Sequence, residues 1–131
     1  MRVITPRTSD CPADVFSAQC PSRRVLELLA EKWALLIVHR LAGGPARTAA
    51  LRRSIGGISE KMLIQTLRRL EQHGFVVRRA FAEVPPRVEY ELTPLGASLS
   101  EPIRALDSWV EAHHGEINAA RRAFQERAGR S

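Results

Sequence analysis

A mostly helical α+β fold is what these 131 residues predict, and three observations carry that prediction. Apolar residues recur at helical spacing from Val25 to Leu70 and again from Leu95 onward. Only one stretch, residues 75 to 93, changes to a β-rich pattern in which apolar and charged residues alternate. Glycine and proline punctuate the chain often enough to cut its helical parts into short pieces. The length suits one domain with an appended element, not two independent domains. With 44% hydrophobic and 26% charged residues the chain has a globular composition, and its longest apolar run, Trp33 to Val38, is far short of the roughly 18 residues of a membrane span. The opening "MRVITPRTSDCP" holds no apolar stretch of signal-peptide length, so a cytoplasmic protein with no membrane partner is expected.

Residues 1 to 19 are rich in Thr, Ser, Asp and Pro without an apolar period and predict a flexible or loosely docked arm. In "CPSRRVLELLAEKWALLIVHRLAGG", Val25, Leu28, Leu29, Trp33, Leu36, Ile37 and Leu41 predict one interrupted helix or two short ones, started by Pro21 and Ser22 and closed by Gly43-Gly44-Pro45. Thr48 is a candidate cap for a short helix through Leu51 to Ile55, and Gly56-Gly57 supplies a tight turn. Ser59 caps the next helix, with Met62, Leu63, Thr66, Leu67 and Leu70 facing inward, Lys61, Gln65, Arg68 and Gln72 facing out, and Gly74 ending it. Around the Pro85-Pro86 loop, Val88, Tyr90 and Leu92 alternate with Arg87, Glu89 and Glu91, which predicts a β-hairpin with Arg78, Arg79 and Arg87 near its tip or on its outer face. Thr93 and Pro94 open a further helix as cap and first residue, carrying Leu95, Leu99, Ile103, Leu106, Trp109 and Val110, which Pro102 should bend or break near its start. A last segment, residues 115 to 128, aligns Ile117, Ala120 and Phe124.

Short helix, glycine turn and capped second helix with a polar outer stripe make a helix-turn-helix, and a hairpin directly after it is a wing. The charge falls in the same place. Residues 40 to 90 hold ten basic against four acidic side chains, a surplus of six equal to the +6 of the whole chain, and eighteen of the twenty basic residues are Arg. A localised basic segment points to a polyanionic partner, and the planar guanidinium suits phosphates and guanine edges.

The order "CP" (20 to 21), "EKW.LLIV..L..GP.R" (31 to 47), "L....GGIS.KML...LR.LE..G.V.R" (51 to 78), "PPRVEYELTPLG..L" (85 to 99) and Trp109 resembles the HxlR-type winged helix-turn-helix family of bacterial transcription regulators over about residues 20 to 112. The joined wing and helix start, "PPRVEYELTPLG", is the most specific part. The chain departs from the family pattern where Glu31-Lys32-Trp33 replaces Gly-Lys-Trp and where Arg47-Thr48-Ala49-Ala50-Leu51 lacks an aromatic at 48. The resemblance implies a DNA-binding domain over residues 20 to 131 and a homodimer joined by terminal helices, the C-terminal ones at about 93 to 128. It also implies that a cysteine at the Cys20-Pro21 position serves, in some members, as a sensor of oxidants or electrophiles.

Taken alone, the stripe of the second motif helix is an ordinary solvated face. Beside a capped short helix and a basic hairpin it becomes the candidate DNA-reading surface. Ser59 and Lys61 are placed to meet phosphates or base edges, Gln65 to bond adenine, Arg68 to bond guanine or phosphate, and Ile64 to touch a thymine methyl or pack on the adjacent helix. Arg47, Arg52 and Arg53 fit the DNA backbone beside the first motif helix, and Arg78, Arg79 and Arg87 fit phosphate or minor-groove contact, against a plain reading as strand-surface charges. Trp33 and Trp109 lie on leucine-rich stripes and are read as packing residues, and His113 and His114 as solvated. Cys20 stands at a helix start before Pro21, Arg23 and Arg24, where dipole and charge favour a thiolate, although a small buried apolar residue is the plain alternative. Cys11 is its candidate resolving partner.

The leading function is therefore a dimeric, sequence-specific DNA-binding regulator on a pseudo-palindromic duplex site, with an oxidant or small-molecule effector as a further candidate partner and without cofactor, metal or catalytic residue. A small thiol oxidoreductase or peroxidase built on Cys11 and Cys20 is the enzymatic rival, and it lacks a C-x-x-C motif and a βαβ pattern. A winged helix serving as a protein-interaction module is the third reading.

Overall fold

The computed structural model describes residues 14 to 130. They form eight elements: α1 (Pro21–Ala30), α2 (Lys32–Leu41), α3 (Thr48–Ser54), α4 (Glu60–Gln72), β1 (Val76–Phe81), β2 (Arg87–Leu92), α5 (Pro94–Ala97) and α6 (Ser100–Gly129). The chain divides into two compact units after Ser98.

In the first unit the core is made by one face of each helix. Leu28, Ile37, Val38, Leu41, Leu51, Leu63, Leu67 and Leu70 are buried, and withdrawing each such side chain from water is worth about 1.5 to 3 kcal/mol. The first helical stretch is two helices, separated at Glu31, whose ψ of 138° is extended. Its carboxylate takes both bonds from Arg69 Nη1, at 2.9 and 3.0 Å, tying the break to α4. Two expected inward residues lie at the rim instead, since Leu36 and Met62 are exposed.

Around the turn the local chemistry is mostly as the residue types dictate. Thr48 is not a cap: it is the first helical residue of α3, whose N-cap is Arg47 without a side-chain bond. Gly57, at φ +86°, makes the turn into α4, a conformation that costs glycine little. Ser59 caps α4 as expected, its hydroxyl accepting from the Met62 N–H at 3.1 Å. The far end closes in a Schellman motif: Gly74, at φ +80°, donates to Glu71 and Phe75 donates to Leu70, each at 3.0 Å.

β1 and β2 pair antiparallel from Val76 opposite Leu92 to Phe81 opposite Arg87. A third segment joins this sheet by one residue, Ala46, which exchanges both backbone hydrogen bonds with Tyr90 at 3.0 and 2.8 Å. The hairpin is thus fastened to the loop before α3. After β2, Thr93 bonds in three ways: its N–H donates to Phe75, its hydroxyl donates to the Gly74 carbonyl, and the same hydroxyl accepts from Gly96 as the cap of α5. Gly96 is buried there so closely that a Cβ would lie 2.0 Å from the Phe75 carbonyl oxygen.

The second unit is one helix. The expected break near Pro102 falls ahead of it, between α5 and α6, and Pro102 sits in the first turn of α6, where a missing N–H loses no intrahelical bond. Gly115 does not divide it. Leu106, Trp109, Val110, Ile117 and Phe124 are exposed along α6, and Trp109 stacks on His113 at 4.4 Å. No helix among the described residues is long and apolar enough to cross a membrane.

Candidate nucleic-acid interface

The α4 helix presents Lys61, Gln65, Arg68 and Gln72 to solvent while Leu63, Thr66, Leu67 and Leu70 are buried opposite. Such a split follows from helical periodicity, because residues three and four apart share a face. Thr66 is tolerated in the core because its hydroxyl donates to the Met62 carbonyl at 2.8 Å. Gln65, Arg68, Arg69 and Gln72 line a shallow groove along the exposed side. Ile64 is half-buried beside it.

A second hollow lies between α3 and the start of α4, lined by Ala49, Arg52, Arg53 and Ile58. Ser59 opens α4 immediately after it, so the positive end of that helix dipole and two guanidiniums lie together. Arg52 also reaches Glu60 at 3.3 Å, but both side chains are largely exposed and such a pair is weak. Arg47 is exposed at the N-cap of α3. Between residues 40 and 75 there are seven basic side chains against Glu60 and Glu71, a net of +5. Nearly the whole surplus of the chain is therefore on and around the helix-turn-helix.

The hairpin differs from expectation. Strand register puts Arg78 opposite Tyr90, on the inward-facing side, and Arg79 opposite Glu89, on the outer side, so the three hairpin arginines do not share a face. Arg78 is nevertheless exposed. On the outer side Arg79 Nε donates to Glu91 at 2.7 Å, and Arg87 bonds Glu83 at 2.8 Å and Glu89 at 3.2 Å. Arg87 also lies 4.0 Å over the ring of Phe81. These two arginines are occupied within the wing.

Cys20 is buried as the N-cap of α1, and its sulfur accepts from the Asp14 N–H at 3.4 Å. Pro21 follows as the first helical residue and Arg23 reaches back to the Phe16 carbonyl at 3.3 Å, folding residues 14 to 20 against the start of α1. Cys11, its candidate partner, lies outside the described residues. Sequence reading missed Arg69, whose spacing from Gln65 and Gln72 put it beside the polar stripe but whose partner, Glu31, is 38 residues away. It also missed Ala46, because a one-residue bridge has no period to detect.

Comparison with known proteins bears on this geometry. The HxlR-like helix-turn-helix family model matches residues 28–118. The HTH-type transcriptional regulator YtfH of Escherichia coli (strain K12) is 50% identical over 108 residues, 82% of this chain and 86% of that one. Among solved structures, the transcriptional regulator ytfH from Salmonella typhimurium superposes with a TM-score of 0.78 at 45% identity, covering 85% of this chain and 99% of its own. The redox regulator HypR in its reduced form gives a TM-score of 0.70 at 30% identity, over 76% and 98% of the two chains. Helix, turn, capped helix and wing are thus shared over most of the chain's length, and the protein belongs to the HxlR-like helix-turn-helix family as a winged-helix transcriptional regulator.

Proposed function

We propose that the protein acts as a homodimer on a pseudo-palindromic duplex site, each subunit laying α4 in a major groove. The observation that carries this is the exposed stripe Lys61, Gln65, Arg68 and Gln72 on a capped helix, in the segment that holds nearly all of the net charge. An α-helix fits the major groove, and side chains of its first turns reach base edges. Gln65 is assigned to adenine, Arg68 to guanine or phosphate, Lys61 and Ser59 to phosphates or base edges, and Ile64 to a thymine methyl. Arg47, Arg52 and Arg53 supply backbone contacts that position the domain, and Arg78 one at the wing.

Dimerisation is assigned to α6. Its exposed residues Leu106, Val110, Ile117 and Phe124, with His113 and Ala120 between them, follow spacings of four and three residues, the 3.5-residue repeat of a helix that packs along a second helix. On such a site the two copies would set their α4 helices in successive major grooves, about 34 Å apart. With this role the protein is assigned to the cytoplasm. Selection of bound sequences from random DNA tests the reading: a two-fold symmetric site is expected, with log affinity falling steeply against log salt at about −0.9 per neutralised phosphate. Affinity that stays flat between low and moderate salt would remove the basic surface as the binding face.

The likeness to HypR, a redox regulator, supports a second layer, in which modification of Cys20 changes the DNA-competent geometry. Because Cys20 is buried and its sulfur accepts from the Asp14 N–H, a reagent reaches it only through local opening. Mass spectrometry after mild oxidant, alongside a mobility shift, tests this: wild type should lose binding as Cys20 is modified, and Cys20→Ser should bind and ignore the oxidant. Loss of binding in unoxidised Cys20→Ser would make the thiol structural. Consumption of reductant in a peroxide-coupled assay would favour a thiol enzyme instead, and unchanged regulation after Gln65→Ala with Arg68→Ala would favour protein docking.

A further inference from the structure

Two adjacent arginines on α4, Arg68 and Arg69, line one groove with Gln65 and Gln72, yet their surroundings differ. Arg68, like Lys61 on the same helix, has no carboxylate partner among the described residues. Arg69 has one, brought from the break between α1 and α2: both oxygens of Glu31 accept from its Nη1, at 2.9 and 3.0 Å. The nearby pair of Arg52 and Glu60 is looser, with a single bond at 3.3 Å and a glutamate side chain 72% exposed against 40% for Glu31.

Glu31 does nothing comparable for its own helix. It is the N-cap of α2, but its side chain makes no capping bond there and turns to α4 instead. Because both partners are about half exposed, the ion pair adds little to stability. Its larger effect is on charge. Sequence-independent affinity for a duplex comes from cations that neutralise phosphates and release the counterions condensed on them. The other nitrogens of Arg69 remain as donors, but a phosphate that took them would lie beside the Glu31 carboxylate and meet a pair with no net charge.

Resting on the DNA-binding reading above, we propose that Glu31 is a positioning residue that withholds Arg69 from the phosphate backbone, so that of the two neighbouring arginines only Arg68 brings its charge to the duplex. The sequence-independent share of the affinity is thereby limited, and the base contacts assigned to Gln65 and Arg68 carry a larger part of it.

The test uses the full chain, with the selected operator and an unrelated duplex of equal length, over a range of salt. Wild type must first bind the operator with a steep salt slope; a flat one would sink the DNA-binding reading itself, and this inference with it. Glu31→Gln, close to the glutamate in size, frees Arg69 and should steepen the slope by about 0.9 for each subunit, tightening both duplexes by about five- to tenfold per subunit at about 0.1 M salt. Adding Arg69→Gln to it should restore the wild-type slope, since two amides neutralise as many phosphates as the closed ion pair. Glu71→Gln takes the same charge off α4 without freeing an arginine and should keep the wild-type slope. The proposal is overturned by a wild-type slope in Glu31→Gln, which with a lower urea midpoint would make the pair a structural tie. It is equally overturned by a slope about 0.9 shallower in the double variant, which would put Arg69 on a phosphate in the wild type, or by Glu71→Gln steepening the slope as much as Glu31→Gln, which would leave net charge as the cause.

Discussion

Among the described glycines, Gly96 leaves the least room for a side chain. A Cβ there would meet the Phe75 carbonyl oxygen at 2.0 Å, and the obstacle is backbone, which cannot swing aside as a side chain could. Gly96→Ala is expected to destabilise the fold by at least about 3 kcal/mol, read as a fall in the urea midpoint, despite adding one methyl group. Ser59 allows a finer test because it has two assignments. Ser59→Ala removes the cap bond to Met62 and should cost about 1 kcal/mol of stability, whereas Ser59→Asp keeps the cap. The aspartate nevertheless sets a negative charge beside the DNA, so Ser59→Asp should unfold like wild type and bind DNA at least about tenfold more weakly. Equal binding by the two proteins, measured by fluorescence anisotropy, would take Ser59 out of the interface.

At the scale of elements, α4 was readable from sequence because several signals agreed: cap, 3.6-residue periodicity and a C-terminal glycine all mark the same thirteen residues. Its consequence is testable. Gln65→Ala should relax base preference at one operator position, at about 1 to 3 kcal/mol, while Lys61→Ala should weaken all sequences together and reduce the salt slope by about one unit. Where the sequence misled, the deciding contacts were distant or on the neighbouring strand. Thr48 looked like a cap by type, yet Arg47 takes that position. The hairpin arginines looked like one basic patch because they crowd together in sequence, but strand alternation sends Arg78 and Arg79 to opposite faces. Which glutamate each arginine meets depends on register, and register is set by where the turn falls. The continuity of α6 through Gly115 was hidden for a different reason, since a glycine costs only about 1 kcal/mol in a helix that has other support.

At the scale of the whole molecule, a single chain leaves a row of apolar α6 residues in water. Phe124 and Ile117 border a hollow on α6 with Ala120, Arg121 and Gln125, and Phe124→Asp should shift the protein toward monomer in sedimentation equilibrium. Operator affinity should fall steeply with it, because a monomer engages one half-site. Helical content and the unfolding of the 14 to 98 unit should change little. Thr93 then acquires a meaning beyond capping. Its backbone and hydroxyl bond Phe75, Gly74 and Gly96 at once, at the point where the chain leaves the hairpin and heads for the C-terminal helix. The foot of the hairpin, the end of α4 and the turn of α5 are held together at this single residue. Thr93→Val keeps the shape of the side chain but strips out the hydroxyl that both caps α5 and satisfies the Gly74 carbonyl, so it should lower stability by about 1 to 3 kcal/mol, read as a fall in the urea midpoint of the 14 to 98 unit.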